Sequence, residues 1–244
     1  MFRLLIGGLT VFLFLVLTLP VLLILWIVGL KNPAARDKAS QAIIQWAFRL
    51  LLFICGVKAD VYGKENIPDD RSVLFVGNHR SIFDILLLYT NTKLPTGIIA
   101  KKEMDRLPIF NLWMRYIGCL FLDRDDIKQG LKTILTAIEK VKGGMCMAIF
   151  PEGTRNKVEG TFLPFKGGSF KIAEKSGCDV VPFTVIGAAA VFEDHKPWIK
   201  KAHVIICFGE PIHTKDMSKE ELKHISDLAR DKVIQMYEKN VVNL

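Results

Sequence analysis

The sequence carries none of the short signatures that mark the commonest hydrolytic, metal and nucleotide chemistries. GxSxG is absent, so there is no strand-to-helix elbow for a serine-hydrolase nucleophile. HExxH is absent, and His79, His195, His203, His213 and His224 do not cluster at metal-ligand spacing. Neither GxGxxG nor GxxxxGK[ST] occurs, which removes the usual dinucleotide and P-loop cradles. Cysteine is sparse: Cys55, Cys119, Cys146, Cys178 and Cys207 are far apart, odd in number and form no CxxC pair. They read as reduced thiols packed as small hydrophobes in a cytoplasmic compartment. No zinc finger, RNP pattern or basic heptad helix is present. The net charge of +8 therefore points to an anionic membrane surface or an acidic substrate rather than to nucleic acid.

Charge is also missing from one long stretch, since no Asp, Glu, Lys or Arg occurs from residue 4 to residue 30. About 20 apolar residues cross the hydrocarbon core of a bilayer, so this run is long enough. A signal peptide would be shorter and would end in an A-x-A site, which is not found here. Lys31, Arg36 and Lys38 come after the run, while only Arg3 and the amino terminus precede it, so its downstream side is expected to face the cytoplasm. Pro20 leaves a second geometry open, a kinked segment that dips into one leaflet and returns. Residues 39–57 contain a single charge, Arg49, and read as an interfacial or packed second helix. The chain of 244 residues thus divides into N-terminal membrane-embedded or interfacial helices over 1–57 and a second domain over 58–244.

Beyond residue 57 the hydrophobic period alternates between that of a strand and that of a helix. Residues 58–63, 72–76, 98–99, 145–150, 180–185 and 204–208 read as strands. Residues 81–88, 127–142, 166–175 and 219–239 read as helices. In 127–142 the expected inward residues are Ile127, Leu131, Ile134, Leu135 and Ile138; in 219–239 they are Leu222, Ile225, Leu228, Val233 and Ile234. This alternation predicts an α/β domain with a mixed, largely parallel sheet flanked by helices and preceded by the membrane-associated helices.

Four stretches could carry chemistry. Asn78-His79-Arg80-Ser81-Ile82-Phe83-Asp84 comes directly after a strand. Ser81-x-x-Asp84 fits a capping box with Asp in place of the usual Glu, and a carboxylate one turn into that helix can also reach back to the His79 imidazole. Phe150-Pro151-Glu152-Gly153-Thr154-Arg155 runs from a strand into a sharp turn. That turn presents Glu152, Thr154 and Arg155 at the strand's carboxyl end, where open α/β sheets bind ligands. An Arg there suits a phosphate or carboxylate through its planar fork, although an ordinary surface turn would look the same. Lys101-Lys102-Glu103 and, further on, Asp123-Arg124 flank an apolar segment. Pro164-Phe165-Lys166-Gly167-Gly168-Ser169 puts a Lys and two glycines at a helix start, a place that favours anions.

Together these stretches resemble the PlsC-type glycerophospholipid acyltransferase family. Asn78, His79 and Asp84 match its N-H-x4-D motif, and residues 150–155 match F-P-E-G-T-R without a change. Lys102-Glu103, Pro108, Gly118 and Arg124 fall where an intervening block would lie, Leu163-Pro164-Phe165-Lys166-Gly167 resembles L-P-F-K-G, and Val181-Pro182 resembles a fourth motif. Met104 stands where Leu is usual and Asn111 where Gly is common, which puts the loop at Asn111 in question. The resemblance implies transfer of a fatty acyl group from a thioester, acyl-CoA or acyl-carrier protein, to the sn-2 hydroxyl of lysophosphatidic acid. It makes His79 the general base and Asp84 its orienting partner, with no covalent acyl-enzyme. Arg124 and Arg155 would hold the acceptor phosphate, together with Lys102 and Lys166. Glu152 with Gly153 and Thr154 would order the turn or contact the glycerol. Backbone N–H groups at the start of the helix after Ser81 are one option for the thioester oxyanion. No cofactor or metal is implied. The expected setting is the cytoplasmic face of the cell membrane, with the bilayer as a partner. Other readings are transfer to another lysolipid such as a lyso-amino-lipid, hydrolysis of an acyl thioester, and lipid binding without catalysis.

Overall fold

A computed structural model describes residues 2–244. Seven strands form one sheet: β1 (Val57–Tyr62), β2 (Val73–Gly77), β3 (Thr96–Lys101), β4 (Leu120–Leu122), β5 (Cys146–Ile149), β6 (Asp179–Ile186) and β7 (Ala202–Phe208). Their order is β1-β7-β6-β2-β5-β3-β4. Strands β6, β2, β5, β3 and β4 run parallel, β7 is antiparallel to β6, and β1 pairs parallel with β7. The mixed, largely parallel sheet expected from the alternating periods is the one found. The central strands are apolar on both faces because helices cover both. Every residue of β2 and of β6 is buried. Along β2, Val73 and Phe75 enter one core and Leu74 and Val76 the other.

The first core lies under the N-terminal helices. These are α1 (Phe2–Leu17), α2 (Leu19–Lys31) and α3 (Pro33–Cys55), joined by α4 (Ile82–Asn91) and α5 (Phe110–Tyr116). The uncharged run is therefore two helices, bent by 49° between Leu17 and Leu19; among the described residues no single helix is long and apolar enough to cross a membrane. The break has a local cause. Pro20 cannot donate a helical hydrogen bond, and the Thr18 hydroxyl donates back to the Phe14 carbonyl at 2.6 Å. The Trp113 indole of α5 then donates to Thr18 Oγ1 at 3.1 Å, fixing the bend against the domain. Helix α3 is bound to the C-terminal end of α4 by side chains. Gln45 donates to the Tyr89 and Thr92 carbonyls and Arg49 to that of Thr90. Leu22, Leu25, Ile44, Leu52 and Cys55 share a core with β2 and α4, so residues 2–57 pack as part of the same body as the sheet.

The second core lies under α6 (Ile127–Lys142), α7 (Lys171–Ser176) and α9 (Ile225–Asn240). Helix α6 has the bounds its pattern predicts, capped by Asp126, which accepts from the Gln129 N–H at 3.0 Å. Its buried face differs from the expected one: Thr133, Ala137, Ile138 and Val141 point inward, Ile134 is partly covered, and Ile127, Leu131 and Leu135 are exposed. The apolar arc is wider than the sheet beneath it, which ends in the three-residue edge strand β4. The C-terminal helix breaks at His224, between α8 (Lys219–Lys223) and α9. Within α9, Ile225, Ala229, Val233 and Tyr237 turn inward and Leu228 is exposed. All five cysteines are buried and unpaired. At the Asn111 departure the loop takes a γ-turn, with Ile109 at φ 64° and Phe110 N–H donating to the Pro108 carbonyl; Asn111 Nδ2 donates to the Asp105 carbonyl at 2.7 Å.

Candidate active site

The site begins where β2 stops. Gly77 lies against the Phe183 ring, and a Cβ there would sit within 2.7 Å of three ring carbons, so only glycine fits. Asn78 then fastens the chain to β6. Its Oδ1 accepts from the Val185 N–H and the Thr184 hydroxyl, and its Nδ2 donates to the Val185 carbonyl at 3.0 Å. With both flanks anchored, His79 and Ser81 enter α4 at a defined angle. Asp84, one turn in and 1 % exposed, accepts through Oδ2 from the Arg80 and Ser81 N–H groups at 2.8 Å each, completing the capping box. The same oxygen lies 3.0 Å from His79 Nδ1. A carboxylate can only accept, so Nδ1 carries its proton toward Asp84 and Nε2 is left as the basic nitrogen. The imidazole is stacked on Phe150, with ring centroids 4.1 Å apart and planes 20° from parallel. Helix cap and His orientation are thus functions of a single carboxylate.

The strand-end turn after β5 closes around this loop. Gly153, at φ 74°, makes the turn, and its N–H donates to the Phe150 carbonyl. Two backbone links tie the turn to His79: the His79 N–H donates to Glu152 Oε1 at 3.2 Å, and the Asn156 N–H donates to the His79 carbonyl at 2.7 Å. Glu152 is 4 % exposed, and its Oε2 has no hydrogen-bond partner among the described residues. Burial, aided by the nearby Asp84 charge and opposed by the His79 N–H, pushes its carboxyl up to about 7. Because the folded pKa lies above the ordinary 4.5, the stability tied to this group is complete below pH 4.5 and is lost as pH rises through about 7. Glu152→Gln keeps the oxygen that accepts from His79 and removes the ionisation. The variant is expected to match the parent near pH 4.5 and to exceed it above pH 7.5 by up to about 3 kcal/mol. Denaturation midpoints across that range check this, and parallel pH profiles would refute it.

Arg155 leaves the turn on the other side. It is about two-fifths exposed, with Nη1 3.3 Å from Glu193 Oε1. Glu193 also accepts from the Ser81 hydroxyl at 2.5 Å and the Ile82 N–H at 3.0 Å, so one carboxylate joins the start of α4 to the arginine. Arg80 is buried beneath, its guanidinium against the Asn156 and Lys157 carbonyls and paired with Glu159. Beside the turn lies a cavity of about 250 Å³ lined by Arg124, Lys166, Gly153, Phe150, Ile99 and Ala100, among others. Lys166 lies directly over Gly153, where a Cβ would meet its Nζ at 2.8 Å. Phe150 is common to both halves, stacking on His79 and lining the cavity. Lys102 does not line this cavity; it pairs with Asp123 at 2.6 Å. Thr154 is exposed.

The structure therefore gathers His79, Asp84 and Glu152 in one cluster and Arg124, Lys166 and Gly153 in an adjoining one, with Arg155 at the rim on Glu193. The option that the first N–H groups of α4 stabilise an oxyanion is corrected. Those of Arg80 and Ser81 are committed to Asp84, that of Ile82 to Glu193 and that of Phe83 to Ser81 Oγ. Sequence reasoning placed Asn78 in a motif but missed its bracket on β6, and it missed Glu193 and the Asn156 link, because the partners of all three lie far away along the chain.

A family model described as acyltransferase matches residues 58–186, just over half the chain. The chain belongs to the acyltransferase family. This acyltransferase is 29% identical to the 1-acyl-sn-glycerol-3-phosphate acyltransferase of Borreliella burgdorferi, across 82% of its own length and 80% of that protein's. It is 34% identical to the enzyme of the same name from Helicobacter pylori, across 66% and 73% of the two chains. Among solved structures it is similar to the 1-acyl-sn-glycerophosphate (LPA) acyltransferase PlsC of Thermotoga maritima. That likeness has a TM-score of 0.82 and 27% identity, and covers 97% of this chain and 94% of the other. The PlsC-type resemblance read from the motifs is borne out.

Proposed function

We propose that this acyltransferase moves a fatty acyl group from a thioester, acyl-CoA or acyl-carrier protein, to the sn-2 hydroxyl of lysophosphatidic acid, giving phosphatidic acid. The observation that carries the chemistry is the contact of His79 Nδ1 with Asp84 Oδ2 at 3.0 Å, which leaves Nε2 as an oriented base. The acceptor is supported by the names of the similar enzymes and by the cationic residues around the cavity. In the reaction, Nε2 takes the proton of the acceptor hydroxyl as its oxygen bonds to the thioester carbonyl carbon. The tetrahedral intermediate then expels the thiolate, which takes the proton back from the imidazolium. Asp84 supports the imidazolium charge in between. Direct transfer needs no enzyme nucleophile. Burial pushes the thiols of Cys119, Cys146 and Cys207 up to about 12, 11 and 11, so they are poor thiolate sources, and the Ser81 hydroxyl is committed to Glu193.

The lipid acceptor suggests where the enzyme works. Helices α1 and α2 expose Leu5, Leu9, Phe12, Leu23, Ile24 and Ile27, an apolar surface that suits one leaflet at the cytoplasmic face of the cell membrane. The test of the assignment is purified full-length protein given several lysolipids with each donor, with products identified by mass. Phosphatidic acid is expected to form from lysophosphatidic acid at least about tenfold faster than acylated product forms from lysolipids with larger or uncharged heads, as loss of a phosphate-arginine fit implies. Equal release of free fatty acid without acceptor would make the enzyme a thioester hydrolase, and preference for a lyso-amino-lipid would overturn the acceptor.

A further inference from the structure

The connection between β6 and β7 lies at the same end of the sheet as His79, because β6 and β2 are parallel and both run toward that end. The C-terminus of α3 and the start of β1 are there too, since Val57 pairs with Ala202 at the beginning of β7. So is the start of α1: a Cβ on Gly56 would lie 3.0 Å from both Arg3 Nε and Lys201 Cβ, and one on Gly7 would lie 4.0 Å from Ile199. Residues 192–201 thus abut the first turns of α1, where Phe2 and Leu5 are exposed, and the end of α3, where Phe53 is 81 % exposed.

The outward chemistry of this connection is mainly aromatic and cationic. Trp198 is 44 % exposed, although its backbone N–H donates to the His195 carbonyl and the next residue, Ile199, packs against the first core. Lys196, Lys200 and Lys201 are all exposed. Of its two carboxylates, Glu193 is turned onto Ser81, Ile82 and Arg155, while Asp194 is exposed with Oδ1 3.9 Å from the Arg80 guanidinium. The outer side of the connection thus carries one indole and three ammonium groups against a single exposed carboxylate, beside the exposed apolar residues at the start of α1 and the end of α3. Indoles partition to the headgroup level of a bilayer, and lysines there bind anionic lipid.

We propose that residues 192–201 form a second membrane contact, with Trp198 in the headgroup layer and Lys196, Lys200 and Lys201 on anionic lipid. This seats the His79 end of the sheet on the leaflet, and Glu193 fastens the seated loop to α4 and Arg155. The proposal rests on the membrane placement of α1 and α2 under the proposed function and extends it from those helices to the catalytic domain.

The test compares full-length wild type with Trp198→Ala, with the triple variant Lys196→Ala, Lys200→Ala, Lys201→Ala, and with Phe12→Asp as a variant of the α1 surface. Each is sedimented with phosphatidylcholine vesicles with and without phosphatidylglycerol. Each is also assayed on lysophosphatidic acid embedded in those vesicles and on a short-chain form dissolved as monomers. The loop variants are expected to keep turnover on the dissolved acceptor within about twofold, because neither touches the site. On vesicle-borne acceptor Trp198→Ala is expected to lose about tenfold with either lipid, and the triple variant about tenfold only when phosphatidylglycerol is present. Loop variants indistinguishable from wild type on anionic vesicles, while wild type sediments and Phe12→Asp does not, would overturn this inference and leave the placement of α1 and α2 standing. Wild type that fails to sediment at all would overturn both. A loss seen with acyl-carrier protein but not with acyl-CoA on the same vesicles would assign the loop to the carrier and overturn the lipid contact.

Discussion

Replacement of His79 by alanine is expected to cut turnover by about 10² to 10⁴ while leaving the fold intact, the usual range for loss of a general base. The fold should survive because the contacts that hold this loop are made by backbone, not by the imidazole. The His79 N–H goes to Glu152 Oε1 and its carbonyl accepts from Asn156, and alanine keeps both. The α4 cap also persists, since Asp84 retains the Arg80 and Ser81 N–H groups. Asp84→Asn should cost activity for a different reason. An asparagine can still cap the helix through its oxygen but carries no charge to support the imidazolium, and its amide can turn the His79 tautomer around. Steady-state turnover together with thermal melting separates these effects from unfolding. Near-normal turnover in folded His79→Ala would remove the base from the mechanism.

Arg155→Ala and Arg124→Ala are expected to raise the KM for lysophosphatidic acid by about tenfold to a hundredfold each, the equivalent of losing one charge-assisted hydrogen-bonded contact. The KM for the acyl donor should change much less. Among the described residues Arg155 is held by Glu193 through Nη1 alone, which leaves its other N–H groups for a phosphate at the rim of the site. Arg124 faces the adjoining cavity beside Lys166, so the two arginines approach from different elements and their losses should be separable. Arg155→Lys keeps the charge but not the fork and should recover only part of the loss. Varying each substrate in turn decides the matter. A KM increase confined to the donor would move these arginines to the phosphates of CoA and weaken the case for a phosphate-bearing acceptor.

The parts of this protein determined by sequence alone are those whose hydrogen bonds close within about one turn of chain. Ser81 and Asp84 form a cap because they are three apart, and Asp84 reaches back to His79 because His79 lies just ahead of that cap. Helix α6 has the predicted limits because Asp126 and Gly143 stop it locally. The α/β class is equally legible, since strand and helix periods differ and alternate along the chain. Other features depend on which strands become neighbours, a choice with no periodic trace. Strand β2 lies between β5 and β6, both far downstream of it in the chain. Only that order brings Glu152 and Phe150 to His79, Asn78 to Val185, and Glu193 to Ser81 across 112 positions. The outward stripe of Ile127, Leu131 and Leu135 has the same origin: periodicity marks an apolar arc, but the width of the sheet beneath decides how much of it is covered. At the N-terminus, composition establishes an uncharged run and Pro20 a place to break it. The 49° bend is fixed by tertiary contact, through the bond between Trp113 and Thr18.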